Sequence, residues 1–171
     1  IINTAGNNNV ENIENDKNEF DNANIVNNLA LREIAEFCDI NNILFVSYST
    51  DYVFDGNKSE PYSENDITNP MTKYGITKNN GELSIIESNC NYLLLRVSWL
   101  YSDRPHNFLY TILNSLKRQT EIRIVDDQVG IPTSCSFVSY ITFLLLDKLF
   151  QNNSQFKLNK IIHVTPNGNT T

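Results

Sequence analysis

Glycine is scarce in this chain and poorly spaced for holding phosphate. The six glycines stand at positions 6, 56, 75, 81, 130 and 168 and make neither Gly-x-Gly-x-x-Gly nor Gly-x-x-Gly-x-x-Gly. A pyrophosphate cradle on a helix N-terminus needs such a run, so these residues supply none. Cysteine is scarcer still. Cys38, Cys90 and Cys135 are scattered and odd in number, which excludes a disulfide framework and fits reduced thiols in a cytoplasmic protein. His106 and His163 add no metal-ligand spacing, and no metal is expected. Positive charge is also short, with 13 Lys and Arg against 20 Asp and Glu and a net charge of −7. Without a basic stripe, nucleic acid and anionic membrane surfaces are not expected partners. No signal-peptide pattern is present, and no apolar run reaches the ~20 residues of a membrane span.

What is present is a chain of 171 residues, 40% hydrophobic, long enough for one domain with a sizeable core. Strand-like and helix-like stretches alternate, which predicts an α/β fold with a parallel sheet and right-handed crossovers. Ile43 to Ser47 and Tyr92 to Val97 read as buried strands, Ile122 to Val125 as a short alternating strand, and Ile161 to Val164 as a last strand. Ala23 to Cys38 reads as a helix with Ile25, Leu29, Ile34 and Phe37 among its apolar positions. Thr72 to Glu87, Phe108 to Leu116 and Ser136 to Leu149 are further helices. The asparagine-rich acidic tract from Asn7 through Asp21 and the stretch 151–159 read as surface loops.

The chemistry concentrates between Ser49 and Lys78. Ser49-Thr50-Asp51 follows a buried strand, and small hydroxyl residues at a strand's carboxyl end face the edge where open α/β sheets bind ligands. Tyr74 and Lys78 stand four apart on the next helix and so share one face. A free phenol has a pKa of roughly 10. A neighbouring ammonium is expected to lower it, so that Tyr74 can pass a proton to a carbonyl oxygen while Thr50 holds that oxygen in place. Tyr-x-x-x-Lys alone is a weak signal in a chain with eight tyrosines. Preceded by Ser-Thr-Asp-Tyr-Val-Phe-Asp-Gly at a strand end, it is a much stronger one.

At these residues the sequence resembles the extended short-chain dehydrogenase/reductases. The resemblance rests on Ser49 to Gly56, Glu60 to Asp66, Asn69-Pro70, Tyr74 to Lys78, Leu95 to Tyr101, Asn107-Phe108 and Val125 to Thr133, which arrive in family order. It implies a partial doubly wound, Rossmann-like parallel sheet with part of a smaller C-terminal substrate-binding region. Residues 1–100 would be the C-terminal part of the dinucleotide-binding domain, and 101–171 a mixed segment of the substrate region. The implied reaction moves hydride from NADPH or NADH to the 4-keto group of a dTDP-linked 6-deoxysugar. The resemblance makes Thr50, Tyr74 and Lys78 catalytic and assigns Asn3, Ala5, Gly6, Ser49, Tyr74 and Lys78 to the cofactor. Asp51, Tyr52, Trp99 and Gln128 fall on the substrate side. Val26-Asn27 matches a family position near the active site, although a plain helix-surface asparagine reads equally well. The partners implied are a nucleotide sugar and, in a homodimer, a second copy.

The chain departs from the family at Thr4, Gly6 and Asn7. Lacking the glycine-rich loop and opening without an initiator Met, it reads as an interior fragment that keeps the catalytic half. Two other functions share parts of this pattern. The regulatory beta subunit of methionine adenosyltransferase resembles the family without catalysing reduction, and related nucleotide-sugar epimerases and dehydratases share Tyr-x-x-x-Lys. The intact Ser-Thr-Asp, Tyr-x-x-x-Lys and Asp126-Asp127-Gln128 favour the reductase.

Overall fold

The computed structural model describes residues 1–105, 107–118, 121–122, 124–151 and 158–171. Its strands are β1 (Ile2–Asn3), β2 (Phe45–Thr50), β3 (Tyr92–Val97), β4 (Leu100–Tyr101), β5 (Thr133–Ser134) and β6 (Asn159–His163). Its α-helices are α1 (Val10–Asn15), α2 (Lys17–Asn24), α3 (Ala30–Ile40), α4 (Lys73–Glu87), α5 (Phe108–Arg118) and α6 (Cys135–Gln151). These elements form two compact units. One joins Ile1–Arg96 to β6, and the other begins at Val97, runs through α6 and resumes at Val164.

The first unit is a sheet in the order β1-β2-β3-β6 with helices packed against it. β1 runs parallel to β2, with Ile2 opposite Val46, and β3 runs parallel to β6, with Arg96 opposite His163. All six residues of β3 are buried, as expected for the apolar run Tyr92–Leu95 in a strand of a parallel sheet, and the one charge among them, Arg96, is buried with the rest. The core gathers Phe45, Tyr92 and Leu94 from the sheet, Leu31, Ala35 and Cys38 from α3, Ile85 from α4, and Cys90. Parallel pairing brings the carboxyl ends of the strands to one edge. Asn3, Thr50, Arg96 and His163 lie at or one residue from those ends.

Several expected boundaries move. The asparagine-rich tract is not a loop, for it forms α1 and α2. Asp16 caps α2 by accepting from the backbone N–H groups of Asn18 and Glu19, and fully buried Ile13 and Ala23 anchor the pair. A few tertiary contacts outweigh the modest helix propensity of asparagine. The expected Ala23–Cys38 helix is broken by a π-turn at Ile25–Leu29. That turn shifts the phase. Ala23, Asn27, Leu31, Ala35 and Cys38 face inward, while Ile25, Leu29 and Phe37 are exposed. The expected strand Ile43–Ser47 instead starts at Phe45, because the Ile43 N–H closes α3 by donating to Cys38 O (2.8 Å). It then continues through the hydroxyl residues to Thr50.

The second unit pairs β4 with β5 in parallel and carries α5 and α6. Ile122, Ile124 and Val125 lie outside any strand, so the expected strand there does not form, and its Arg123 lies outside the described residues. His106 and positions 152–157 of the expected polar loop also lie outside them. Gly130 and Thr170 exchange two backbone hydrogen bonds, at 2.9 and 3.0 Å. Cys38, Cys90 and Cys135 are free thiols. Among the described residues no helix is long and apolar enough to cross a membrane.

Candidate active site

The site is built where β2 ends and α4 begins. Thr50, the last residue of β2, is buried. Its Oγ1 accepts from the Tyr52 N–H (3.2 Å) and so caps the 3₁₀ turn Asp51–Val53. The same hydroxyl donates to Asp51 Oδ1 at 2.9 Å. The chain then loops out and returns through Asn69, whose N–H donates to Val53 O (2.8 Å). Thr72 caps α4 by accepting from the Gly75 N–H at 3.0 Å. Gly75 is required here, because a Cβ at that position would lie 2.3 Å from the Tyr52 carbonyl oxygen. The close passage brings the α4 N-terminus against the turn, with the Tyr52 and Tyr74 rings edge to face at 5.6 Å.

Tyr74, half-buried, shares a hydrogen bond with the Thr50 hydroxyl. Burial pushes its phenol up to about 12. The Thr50 bond pulls the other way, and the negative charge of Asp51 adds to the rise. The expected lowering by Lys78 is therefore not what the structure shows. The Lys78 Nζ donates to the Tyr48 carbonyl at 2.8 Å, on the strand rather than on the phenol. Burial lowers the Lys78 ammonium to about 8, and the carboxylate of Glu82 one turn further along resists that fall.

One polar atom of β2 is an orphan. Ser49 Oγ is buried and has no hydrogen-bond partner, a costly state for a hydroxyl unless a ligand satisfies it. The loop after β1 lies close by, since a Cβ on Gly6 would sit 4.0 Å from Lys78 Nζ. Asn3 folds this loop, its side chain accepting from the Ala5 N–H and donating to the Ala5 carbonyl, both at 3.2 Å. Ala5 and Gly6 stay exposed.

Asn27 proves to be a buried structural hub. Its side chain exchanges hydrogen bonds with the Asn7 backbone, both at 2.8 Å, and donates to Thr77 Oγ1 at 3.0 Å. The backbone of its π-turn packs on α4 where Gly81 leaves room, for a Cβ on Gly81 would lie 2.0 Å from Asn27 O.

The structure thus brings together Ser49, Thr50, Asp51, Tyr52, Tyr74 and Lys78 in the first unit, with Asn3, Ala5 and Gly6 on the adjoining loop. Trp99 and Gln128 belong to the second unit. Trp99 has a positive φ of 42°, costly for a bulky residue. Its indole lies against Gly130, where a Cβ would come within 2.2 Å of the ring. Gln128, Asp126 and Asp127 are exposed. Among the described residues no cluster of His, Cys, Asp and Glu could hold a metal ion. Sequence reading passed over Glu82 and Arg96, which form a buried ion pair. The signal was available, because Glu82 extends the 74, 78 spacing by another four residues.

Comparison with known proteins matches the whole chain. A protein-family model described as RmlD substrate binding domain matches residues 1–171. A dTDP-4-dehydrorhamnose reductase of Burkholderia thailandensis is 45% identical over 111 residues, which are 65% of this chain and 37% of that protein. The crystal structure of a dTDP-4-dehydrorhamnose reductase from Clostridium acetobutylicum is similar with a TM-score of 0.87 at 33% identity, covering 99% of this chain and 56% of that one. The Bacillus anthracis dTDP-4-dehydrorhamnose reductase in complex with NADP is similar with a TM-score of 0.86 at 31% identity, covering 100% of this chain and 58% of that one. The chain spans about half the length of these solved relatives.

Proposed function

The chain belongs to the family of the RmlD substrate binding domain, and from that premise we propose that the protein carrying it is a dTDP-4-dehydrorhamnose reductase. It would reduce the 4-keto group of that nucleotide sugar with NADPH or NADH. Support comes from the relatives' names, from the NADP bound to the Bacillus anthracis structure, and above all from one observation in this chain. The Thr50 hydroxyl at the end of β2 shares a hydrogen bond with the Tyr74 phenol, and the buried Lys78 ammonium, one turn along the helix from Tyr74, bonds to the same strand at Tyr48.

The residues fit a nicotinamide cofactor. Ser49 Oγ lacks a partner, and among the described residues Lys78 Nζ donates only to Tyr48 O, so further N–H groups remain for ligand hydroxyls. Ser49, Tyr74 and Lys78 would hold the cofactor, with the small surface of Ala5 and Gly6 beside them. Asn3 would shape that surface, since its own polar atoms are engaged with Ala5. When bound, the reduced nicotinamide supplies a hydride to the carbonyl carbon.

The chain's residues manage the oxygen. Thr50 and Tyr74 donate hydrogen bonds to the keto oxygen and stabilise the charge that grows there. Tyr74 then gives its proton to that oxygen, and the ketone leaves as a secondary alcohol. A phenol held near 12 is fully protonated at neutral pH, so the acid is loaded before each turnover. Once the alcohol has left, the single Thr50 proton can hydrogen-bond to the phenolate left behind, which takes up its own proton again from water. Asp51, Tyr52, Trp99 and Gln128 would meet the nucleotide sugar. On this reading residues 1–100 complete the dinucleotide-binding domain, residues 101–171 contribute to the substrate region, and the enzyme works in the cytoplasm as a homodimer.

The full-length protein should oxidise NADPH or NADH only when dTDP-4-dehydrorhamnose is added, yielding a dTDP-linked 6-deoxysugar alcohol detectable by mass spectrometry. A folded, cofactor-binding protein with no turnover would refute the reductase and favour the non-catalytic regulatory reading.

A further inference from the structure

Tyr74, Lys78 and Glu82 follow one another at intervals of four on α4, so they form one stripe along the helix. Glu82 is almost completely buried and grips Arg96 of β3 with both carboxylate oxygens. Arg96 Nε lies 3.0 and 3.2 Å from the two oxygens, and Nη2 lies 2.6 Å from Oε2. The other side of the guanidinium lies 5.0 Å from the centre of the Phe54 ring. Arg96 Nη1 stands 3.4 Å from His163 Nε2. Arginine can only donate, so this contact asks for the neutral imidazole with its proton on Nδ1.

Phe54 belongs to the catalytic turn, because its N–H closes the 3₁₀ turn on the Asp51 carbonyl at 3.0 Å. Its ring stacks on Tyr62 at 4.3 Å and meets His163 edge-on at 5.7 Å. Glu64, further along the same loop, accepts from the His163 N–H at 2.9 Å. One arginine therefore holds two things, the helix that presents Tyr74 and Lys78 and the turn that follows Thr50.

A buried ion pair is a weak source of net stability, since desolvation offsets most of the attraction. What a bidentate guanidinium–carboxylate pair does supply is fixed geometry. We propose that Arg96, locked by Glu82 and laid on Phe54, is a positioning residue that sets the rotation of the catalytic helix against the Thr50 turn. This rests on the reductase reading of Thr50, Tyr74 and Lys78. The magnitude follows from helix dimensions. Side chains end ~5–6 Å from a helix axis, so a rotation of ~10° moves a side-chain tip by about 1 Å. A misplacement of that size costs about a hundredfold in rate.

The test compares Arg96→Lys and the double variant Glu82→Gln with Arg96→Gln, both in the full-length protein. Arg96→Lys keeps the charge facing Glu82 but loses the fork. Per cofactor-binding site, its kcat should fall about a hundredfold while KM for sugar and cofactor changes less than about threefold. Wild-type kcat in a folded Arg96→Lys protein would overturn the proposal. If that variant does not fold, wild-type kcat in the double variant would do the same. A second readout needs no turnover. Lys78 acylation by an amine reagent, followed by mass spectrometry as a function of pH, should shift to lower pH when Glu82 is neutralised. An unchanged Lys78 profile in every variant also overturns the positioning role. An inactive wild-type protein would instead refute the reductase reading and, with it, the positioning role.

Discussion

Replacing Tyr74 with Phe in the full-length protein should slow catalysis severely and leave the fold standing, and the structure allows both effects to be sized. The ring stays, and with it the edge-to-face contact with Tyr52 at 5.6 Å. One hydroxyl is lost, with its hydrogen bond to Thr50. Thr50 is not orphaned, because it still donates to Asp51 and accepts from the Tyr52 N–H. The stability cost is therefore that of an ordinary hydrogen bond, about 0.5–1.5 kcal/mol, against a total of about 5–15 kcal/mol. The catalytic cost is larger. Loss of a general acid slows turnover by about a hundredfold to ten-thousandfold, or about 2.7–5.5 kcal/mol of barrier. On the proposed reading Thr50 can still donate to the keto oxygen, so some reduction survives. Steady-state reduction of dTDP-4-dehydrorhamnose gives kcat, and calorimetric titration of NADPH gives the cofactor affinity. The Phe variant should lose kcat at nearly unchanged cofactor affinity. A variant that keeps kcat within tenfold of wild type would remove Tyr74 from the mechanism.

Lys78→Met should weaken NADPH binding and lower kcat together, because on the proposed reading the ammonium that donates to the Tyr48 carbonyl also holds the cofactor. The same variant tests a stability effect. Burial lowers the Lys78 ammonium to about 8 in the folded protein, from an ordinary 10.5. Folding therefore bears a cost below pH 8 that is relieved as the pH rises from 8 to 10.5, and this rise should vanish in Lys78→Met when chemical denaturation is followed across pH. Gly81→Ala should destabilise the fold by about 1–3 kcal/mol, since the new Cβ would press on the Asn27 carbonyl oxygen and the clash outweighs the helix propensity gained. Thermal melting of Gly81→Ala checks it, and an unchanged midpoint would contradict the close helix approach. Gly130→Ala should drive the indole of Trp99 from its seat and raise KM for the nucleotide sugar more than it lowers kcat. Wild-type kinetics in Gly130→Ala would separate Trp99 from substrate recognition.

Much of this was legible in the residues, and what was not has physical causes. β3 was read correctly to the residue because a short, largely apolar run set between helical stretches fits a buried strand of an alternating α/β chain. The start of α4 was legible to within a residue because Thr72 is a side chain that does local work. The tract from Asn7 to Asp21 was misread because its helices depend on two buried side chains, Ile13 and Ala23, set among polar neighbours. Periodicity also misled at Ile25, Leu29 and Phe37. A π-turn adds a residue to the local repeat, and a 3.6-residue pattern read through it assigns the wrong face.

The site shows the same division between local and distant information. The placement of Thr50 beside Tyr74, with Lys78 one turn further along α4, was legible because spacing within one strand end and one helix carries their relation. The protonation behaviour of Tyr74 was not, because it depends on how much of the ring is buried and on where the ammonium of Lys78 points. Sequence spacing places Lys78 on the same face as Tyr74, yet its Nζ reaches for the Tyr48 carbonyl, and burial raises the phenol. Arg96 was the least legible of all. It lies eighteen residues beyond Lys78 on a strand that reads as uniformly apolar, and a lone charge in such a run gives no hint of its partner. Only parallel pairing, which sets Arg96 opposite His163, and the α4 stripe that ends in Glu82 bring its contacts together. A charged residue inside an apolar strand needs a counter-charge. A carboxylate four residues past a Tyr-x-x-x-Lys pair is therefore the first place to look for one.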